Sequence, residues 1–220
     1  AFRETRHLPT GSVGACKKRL AIVQQLIALA SRQVLDFASE LTTAVIVSAE
    51  ENPQVRFRLQ QKLQKHMRKR KCDVRLYAML LMTALSEETR SGYMQLRHIV
   101  YSVADRLRQV QQSEQVSLGD PRASLCYTEY AIPYLVMFLA HHTFFSVERE
   151  SNFVGCQRVW HILFDELFRA NTSCASFCGE MLRRLKIHDD ALDADNPATR
   201  MMCDLASRVM LECLGLKSVG

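Results

Sequence analysis

Glycine and proline are scarce in this chain. Only 8 glycines and 5 prolines occur among 220 residues. Because these residues interrupt regular structure, the stretches between them must form long elements, which here means helices. Apolar residues make up 48% of the chain, which is enough for a continuous buried core and argues against disorder.

Long hydrophobic runs are also absent. The most apolar windows, residues 76–85 and 131–140, fall short of the roughly 20 residues that a membrane-spanning helix requires. We therefore expect no membrane span. The chain begins at Ala1 without an initiator methionine or a signal segment, and we interpret it as a fragment of a longer protein.

Motifs that carry catalysis are missing as well. There is neither a G-x-S-x-G nucleophile turn nor a glycine-rich phosphate loop, so we expect no enzyme, cofactor or small-molecule substrate. The eight cysteines are scattered among apolar neighbours and are expected to be buried free thiols. Cys174 and Cys178 lack a second ligand pair at similar spacing, which argues against a metal site.

Adjacent polar pairs have ordinary structural interpretations. Glu87 and Glu88 are expected to complement a helix dipole, while Asp189 and Asp190 suit a solvated turn. One histidine of the pair 141–142, which follows an apolar helix, is expected to cap the terminal carbonyl groups of that helix, and the other to face solvent.

Apolar residues recur at spacings of three and four along the chain, which predicts amphipathic helices. Asn52-Pro53 and Asn196-Pro197 are strong start signals, Asp73 can cap a central apolar helix, and Pro133 should bend its helix. We expect eight or nine helices, at about 15–34, 33–49, 53–71, 74–85, 86–110, 123–142, 152–170, 173–187 and 197–214.

These helices pair into units of about 40 to 50 residues, the period of HEAT and armadillo repeats. We therefore expect an all-α, HEAT-like α-solenoid over residues 15–215, with a weak linker at 116–121. Residues 1–14 would be a lead-in and 216–220 a tail. A compact helical bundle remains the alternative, because it would bury a similar area.

Charge is distributed unevenly. Nine basic residues and one acidic residue lie between Arg56 and Arg75, a local charge of +8 in a chain of net charge +6. Such a helix can bind nucleic-acid phosphates or an acidic partner, although a solvated face or pairing with neighbouring acids would explain it equally. The candidate binding residues are Arg56, Arg58, Lys62, Lys65, Arg68, Lys69, Arg70 and Lys71.

Several segments together resemble a known family. Tyr127 to His141 reads Tyr-Thr-Glu-Tyr-Ala-Ile-Pro-Tyr, followed by an ending in Leu-Ala-His. This resembles a stretch of the cohesin-regulator family named for precocious dissociation of sister chromatids. Residues 55–65, 159–167 and 201–206 resemble further segments of its C-terminal half in the same order. Thr128 and His142 depart from the family pattern, which indicates a divergent relative.

The resemblance implies a HEAT-repeat superhelix that regulates the cohesin ring on chromatin in the nucleus. Its implied partners are the kleisin subunit of cohesin and cohesin accessory factors. No functional residue of the family transfers to a numbered position here. Two alternatives stay open: a nucleic-acid-binding α-domain that contacts DNA through residues 56–75, and another nuclear solenoid of the transport-receptor or condensin type.

Overall fold

Seven α-helices and three short 3-10 helices make up the described part of the chain. The computed structural model describes residues 52–69, 73–113, 126–142, 151–190, 192–194 and 196–215, together with positions 21, 115 and 117. The α-helices are α1 (Pro53–Lys69), α2 (Val74–Met82), α3 (Arg90–Ser113), α4 (Ala131–Ala140), α5 (Ser151–Ala170), α6 (Ala175–Ile187) and α7 (Pro197–Cys213). The 3-10 helices span Thr83–Ser86, Thr128–Tyr130 and Thr172–Cys174.

The expected count of eight or nine helices is therefore corrected to seven for the described residues. The helices expected at 15–34 and 33–49 lie outside those residues, as does most of the expected linker at 116–121. No strand occurs in the part of the chain that the structure describes, so the all-α prediction is confirmed.

Side-chain caps begin three of the helices where the sequence predicts them. The Asn52 carboxamide oxygen accepts from two backbone N–H groups of the first turn of α1, at 3.0 and 3.3 Å. Asp73 caps α2 at 2.8 Å, and Asn196 caps α7 at 3.0 Å. These bonds satisfy N–H groups that have no partner within a helix. Gly215, with φ +70°, follows the end of α7 as a left-handed stop.

The start of α3 differs from expectation. Ser86 ends the 3-10 helix Thr83–Ser86 instead of capping α3. The Thr83 hydroxyl donates to the Leu80 carbonyl oxygen at 2.7 Å, which keeps the chain in a tight turn after α2. The hydroxyl of Thr89 takes over the capping position and accepts from the Gly92 N–H at 3.1 Å.

The helix expected at 123–142 is split ahead of Pro133, and no bend occurs at this residue. The helix begins at Ala131, after the 3-10 helix Thr128–Tyr130, so that Pro133 is the third residue of α4. N–H groups in a first turn have no carbonyl partner within the helix, and a proline there removes no hydrogen bond. The helix therefore runs from Ala131 to Ala140 without interruption.

The seven helices alternate between two packed rows. Helices α1, α3, α5 and α7 pack successively side by side in one row, and α2, α4 and α6 do so in the other. The rows contact each other through α1 with α2, α2 with α3 and α5, and α7 with α4 and α6. Successive helices of the described chain therefore lie in alternate rows, an arrangement that fits an α-solenoid.

The core lies between the two rows. Eight of the nine residues of α2 are buried, which confirms the prediction of a central helix enclosed on most sides. Trp160 and Phe164 of α5 are fully buried and stacked, with ring centroids 5.8 Å apart. Each facing helix contributes one apolar stripe to this core, so α1 and α3 keep their opposite sides available for polar residues.

Candidate functional site

The exposed side of α1 carries basic but no acidic residues. Its buried stripe is Val55, Leu59, Leu63 and Met67, as predicted. Positions one or two residues before or after a stripe residue lie about 100° to 200° from it around the helix axis and can point away from the core, because a helix turns about 100° per residue. Arg58, Lys62 and Lys65 occupy such positions and are exposed. The sequence of α1 contains no acidic residue, so no carboxylate within the helix neutralises them.

Arg56 does not belong to this surface, and its assignment as a binding residue is wrong. The Arg56 guanidinium is 4% exposed and forms a bidentate pair with the buried carboxylate of Glu87, at 2.9 Å (Nε to Oε2) and 3.2 Å (Nη2 to Oε1). Glu87 Oε1 also lies beside the first turn of α3, where a Cβ added at Gly92 would overlap it, so the expectation that Glu87 complements a helix dipole stays a prediction. Because the pair joins α1 to the segment before α3, it fixes the packing of these two helices.

Arg68 extends the basic surface from α1 onto α3. Its guanidinium donates to the Ser102 hydroxyl at 2.8 Å, which shows the side of α3 that faces α1. Arg106 lies one turn beyond Ser102 on this side of the helix, is exposed, and has the Gln109 side-chain oxygen as a hydrogen-bond acceptor at 3.3 Å.

We call the set Arg58, Lys62, Lys65, Arg68 and Arg106 the basic ridge. Sequence reasoning missed Arg106, because only the packing of α1 on α3 shows that it joins the cations of α1. Of the other candidate residues, Lys69 ends α1 and its side chain is not described. Arg70 and Lys71 lie outside the described residues.

Cations elsewhere in the described chain are largely paired with carboxylates. Among the ion pairs are Arg97–Asp165, Arg108–Glu166, Arg169–Asp105, Arg183–Glu180, Arg184–Glu180, Lys186–Asp204 and Arg208–Glu212. Within the described ranges, no carboxylate lies at ion-pair distance from any residue of the basic ridge. The unneutralised positive charge of α1 is therefore a property of the folded surface as well as of the sequence.

A buried carboxylate on α5 was not predicted. The Glu166 side chain is fully buried and pairs with Arg108 of α3, while the Tyr77 hydroxyl of α2 lies 3.5 Å from it. Burial raises the pKa of Glu166 although Arg108 opposes the shift, and burial also raises the pKa of Tyr77. This cluster joins α2, α3 and α5 through two fully buried side chains, Glu166 and Tyr77.

A second buried polar cluster lies at the end of α4. His141 Nε2 lies 2.9 Å from Asp190 Oδ2, and the Thr199 hydroxyl donates to the same carboxylate. Asp190 is therefore buried instead of solvated, which corrects the turn expected there, and its carboxylate binds the His141 ring. Burial opposes ionisation of Asp190, but bonds from Thr199, the Leu192 N–H and His141 outweigh it and lower its pKa.

The described cysteines are free thiols. Burial raises the pKa of Cys156 and of Cys203 to about 12, which leaves these thiols protonated and unreactive at neutral pH. A hydrogen bond between the free thiols of Cys174 and Cys178 lowers the pKa of the first and raises that of the second. Among the described residues, no three His, Cys, Asp or Glu side chains form a group that could hold a metal ion.

A comparison with protein families identifies the family to which the chain belongs. A family model described as "Sister chromatid cohesion protein PDS5 protein" matches residues 9–214. The chain belongs to the PDS5 family. The resemblance found in the sequence is thereby confirmed, and the match also covers residues 9–48. No curated protein matches the chain.

Membership of the PDS5 family indicates a role in the regulation of sister chromatid cohesion. The PDS5 family is a regulatory or scaffold family, which implies a nuclear, chromatin-associated role for this member. Among the helices that the structure describes, none is both long and apolar enough to cross a bilayer. The outward faces of the helix rows are therefore the candidate functional surfaces. Among the described residues, the basic ridge is the most strongly charged of these surfaces.

Proposed function

We propose that this PDS5-family chain is a non-enzymatic scaffold that regulates sister chromatid cohesion by binding cohesin subunits on chromatin. Its first partner is the kleisin subunit, and cohesin accessory factors are further partners. The family match over residues 9–214 carries this proposal. It also favours a cohesin regulator over a transport receptor or a condensin-type subunit.

The alternating rows support a scaffold of the HEAT-like solenoid type. In such a fold each helix packs only on near neighbours, and the outward faces of successive helices form a continuous surface. The observed neighbours, α1 with α3, α3 with α5 and α5 with α7, follow this pattern. Extended or helical segments of partner proteins bind surfaces of this kind through apolar anchors.

The buried polar groups also favour a scaffold over an enzyme. Glu87, Glu166 and Asp190 are the buried carboxylates that pair across helices in the described chain, and each is bound to a cation or to several hydrogen-bond donors. A general acid or base must reach a substrate proton at hydrogen-bond distance. Carboxylates that are enclosed and bound in this way stabilise helix packing instead.

Binding to purified cohesin tests the proposal. The full chain, immobilised through a terminal tag, is exposed to the cohesin complex with its kleisin and to the same complex without it. We expect binding that depends on the kleisin. Binding should persist between 150 and 300 mM salt, because apolar anchors are weakly screened, in contrast to exposed charges.

Two surface variants serve as probes of the two rows. Phe177→Glu places a charge on an exposed apolar position of α6, and Met94→Glu does the same on α3. Binding of a kleisin segment should be weakened by the variant in the helix row that the segment contacts. The helical circular dichroism of either variant should stay unchanged. Equal binding of cohesin with and without the kleisin would reject the kleisin as partner, and no binding to either complex would reject the proposed function.

A further inference from the structure

We propose that the basic ridge binds the phosphate backbone of duplex DNA without reading its sequence. The ridge combines Arg58, Lys62 and Lys65 of α1 with Arg68 at the contact between helices and Arg106 of α3. This inference does not depend on the cohesin partners, because it rests on charge and geometry in the described residues alone.

The cations of the basic ridge are not neutralised by carboxylates of the described residues. On α6 and α7, exposed cations such as Arg183, Arg184 and Lys186 lie 2.5 to 2.7 Å from carboxylates. Arg68 and Arg106 instead bond to the neutral side chains of Ser102 and Gln109. A partner that supplies negative charge to the ridge therefore does not have to break ion pairs first.

The spacing of the cations along the basic ridge also suits duplex DNA. Arg58 and Arg68 are ten residues apart, which separates their Cα atoms by about 15 Å along a straight helix. Duplex DNA carries one charge per roughly 1.7 Å of its axis. A duplex along the ridge therefore offers about nine phosphates over this length, counted on both strands, which exceeds the number of cations in the ridge.

The surroundings of the basic ridge do not suit single-stranded nucleic acid or an acidic peptide. Single-stranded nucleic acid binds through aromatic side chains on which its bases stack, but Tyr101 of α3 already lies between the guanidinium groups of Arg97 and Arg169, 5.4 and 4.7 Å from its ring centre. A docked acidic peptide would need apolar anchors, and none of the exposed large apolar residues lies on α1. Duplex phosphates need only the cations.

Fluorescence anisotropy with a labelled 30-base-pair duplex tests the inference on the full chain. Five phosphate contacts predict a salt slope near −4.5, so affinity should fall roughly 500-fold between 50 and 200 mM salt. The variant Arg58→Gln/Lys62→Gln/Lys65→Gln removes three contacts and should flatten the slope to about −1.8. Two unrelated duplex sequences should bind with equal affinity.

The matched control is Arg183→Gln/Arg184→Gln/Lys186→Gln. It removes the same charge from an exposed face of α6, where each cation already has a carboxylate partner. Wild-type DNA affinity in this control, with reduced affinity in the ridge variant, supports the inference. Equal weakening of the two variants, wild-type affinity of the ridge variant, or competition by poly-glutamate as effective as that by DNA would overturn it. Cohesin binding by the ridge variant reports separately on the proposed function.

Discussion

The pair between Arg56 and Glu87 gives a direct test of how α1 is held on α3. Replacing Arg56 with methionine keeps an unbranched side chain in place but removes the guanidinium. The Glu87 carboxylate then stays buried, with the Thr89 hydroxyl at 3.2 Å as its remaining side-chain hydrogen-bond donor. We therefore expect Arg56→Met to destabilise the folded chain.

The expected loss follows from the burial of the two groups. Their side chains are 4% and 6% exposed, so water cannot replace the lost partner. Removing one member of such a pair typically costs about 3 to 5 kcal/mol, whereas replacing both members by apolar residues is often close to neutral. The double variant Arg56→Met/Glu87→Leu should therefore be more stable than Arg56→Met alone.

Urea unfolding followed by circular dichroism measures the free energies of unfolding of the wild type, the two single variants and the double variant. Arg183→Met is the control, because its ion pair with Glu180 is exposed and it should unfold like the wild type. A loss for Arg56→Met no larger than that of the control would refute the reasoning. So would a double variant whose loss equals the sum of the single losses, since the two residues would then not be coupled.

Two further predictions concern the same chain. Gly92→Ala should lower the free energy of unfolding, because a methyl group at position 92 would overlap the Glu87 carboxylate. This overlap should outweigh the higher helix propensity of alanine, which is about 1 kcal/mol. A higher free energy of unfolding in urea would contradict this prediction. Burial lowers the pKa of His142 from 6.5 to about 4, so stability should be lost as the pH falls from 6.5 towards 4, by about 3 kcal/mol in total. The pH dependence of unfolding should lose this component in His142→Leu, and an unchanged profile would show that His142 is not its source.

Helix positions and the buried stripes could be predicted from the sequence because both are local. The caps Asn52, Asp73 and Asn196 act on the turn that follows them, and the stripe of α1 repeats with the helical period. Pro133 was misjudged because its effect depends on where α4 begins. That start is set by the 3-10 turn before it, for which the sequence carries no distinct signal.

The polar contacts between helices could not be predicted, because each joins residues far apart in the chain. Arg56 and Glu87 are 31 positions apart, and His141 and Asp190 are 49 apart. A basic residue on a charged helix has the same local pattern whether it faces solvent or a buried carboxylate. Arg56 was therefore included with Arg58 and Lys62, and only the packing of α1 on α3 separates them.

The buried carboxylates explain why charge collects on one surface. Glu87 and Glu166 neutralise Arg56 and Arg108 where odd-numbered helices meet, and such pairs fix neighbouring helices in one alignment because unpaired burial is costly. Exposed pairs such as Lys186–Asp204 contribute little to stability. The exposed cations of α1 form no comparable stabilising pair in the described structure. The apolar stripe of α1 and the Arg56–Glu87 pair already hold this helix in place. A row of exposed cations that packing does not require is available to an anionic partner, and reversing its charge should alter binding while leaving the fold intact.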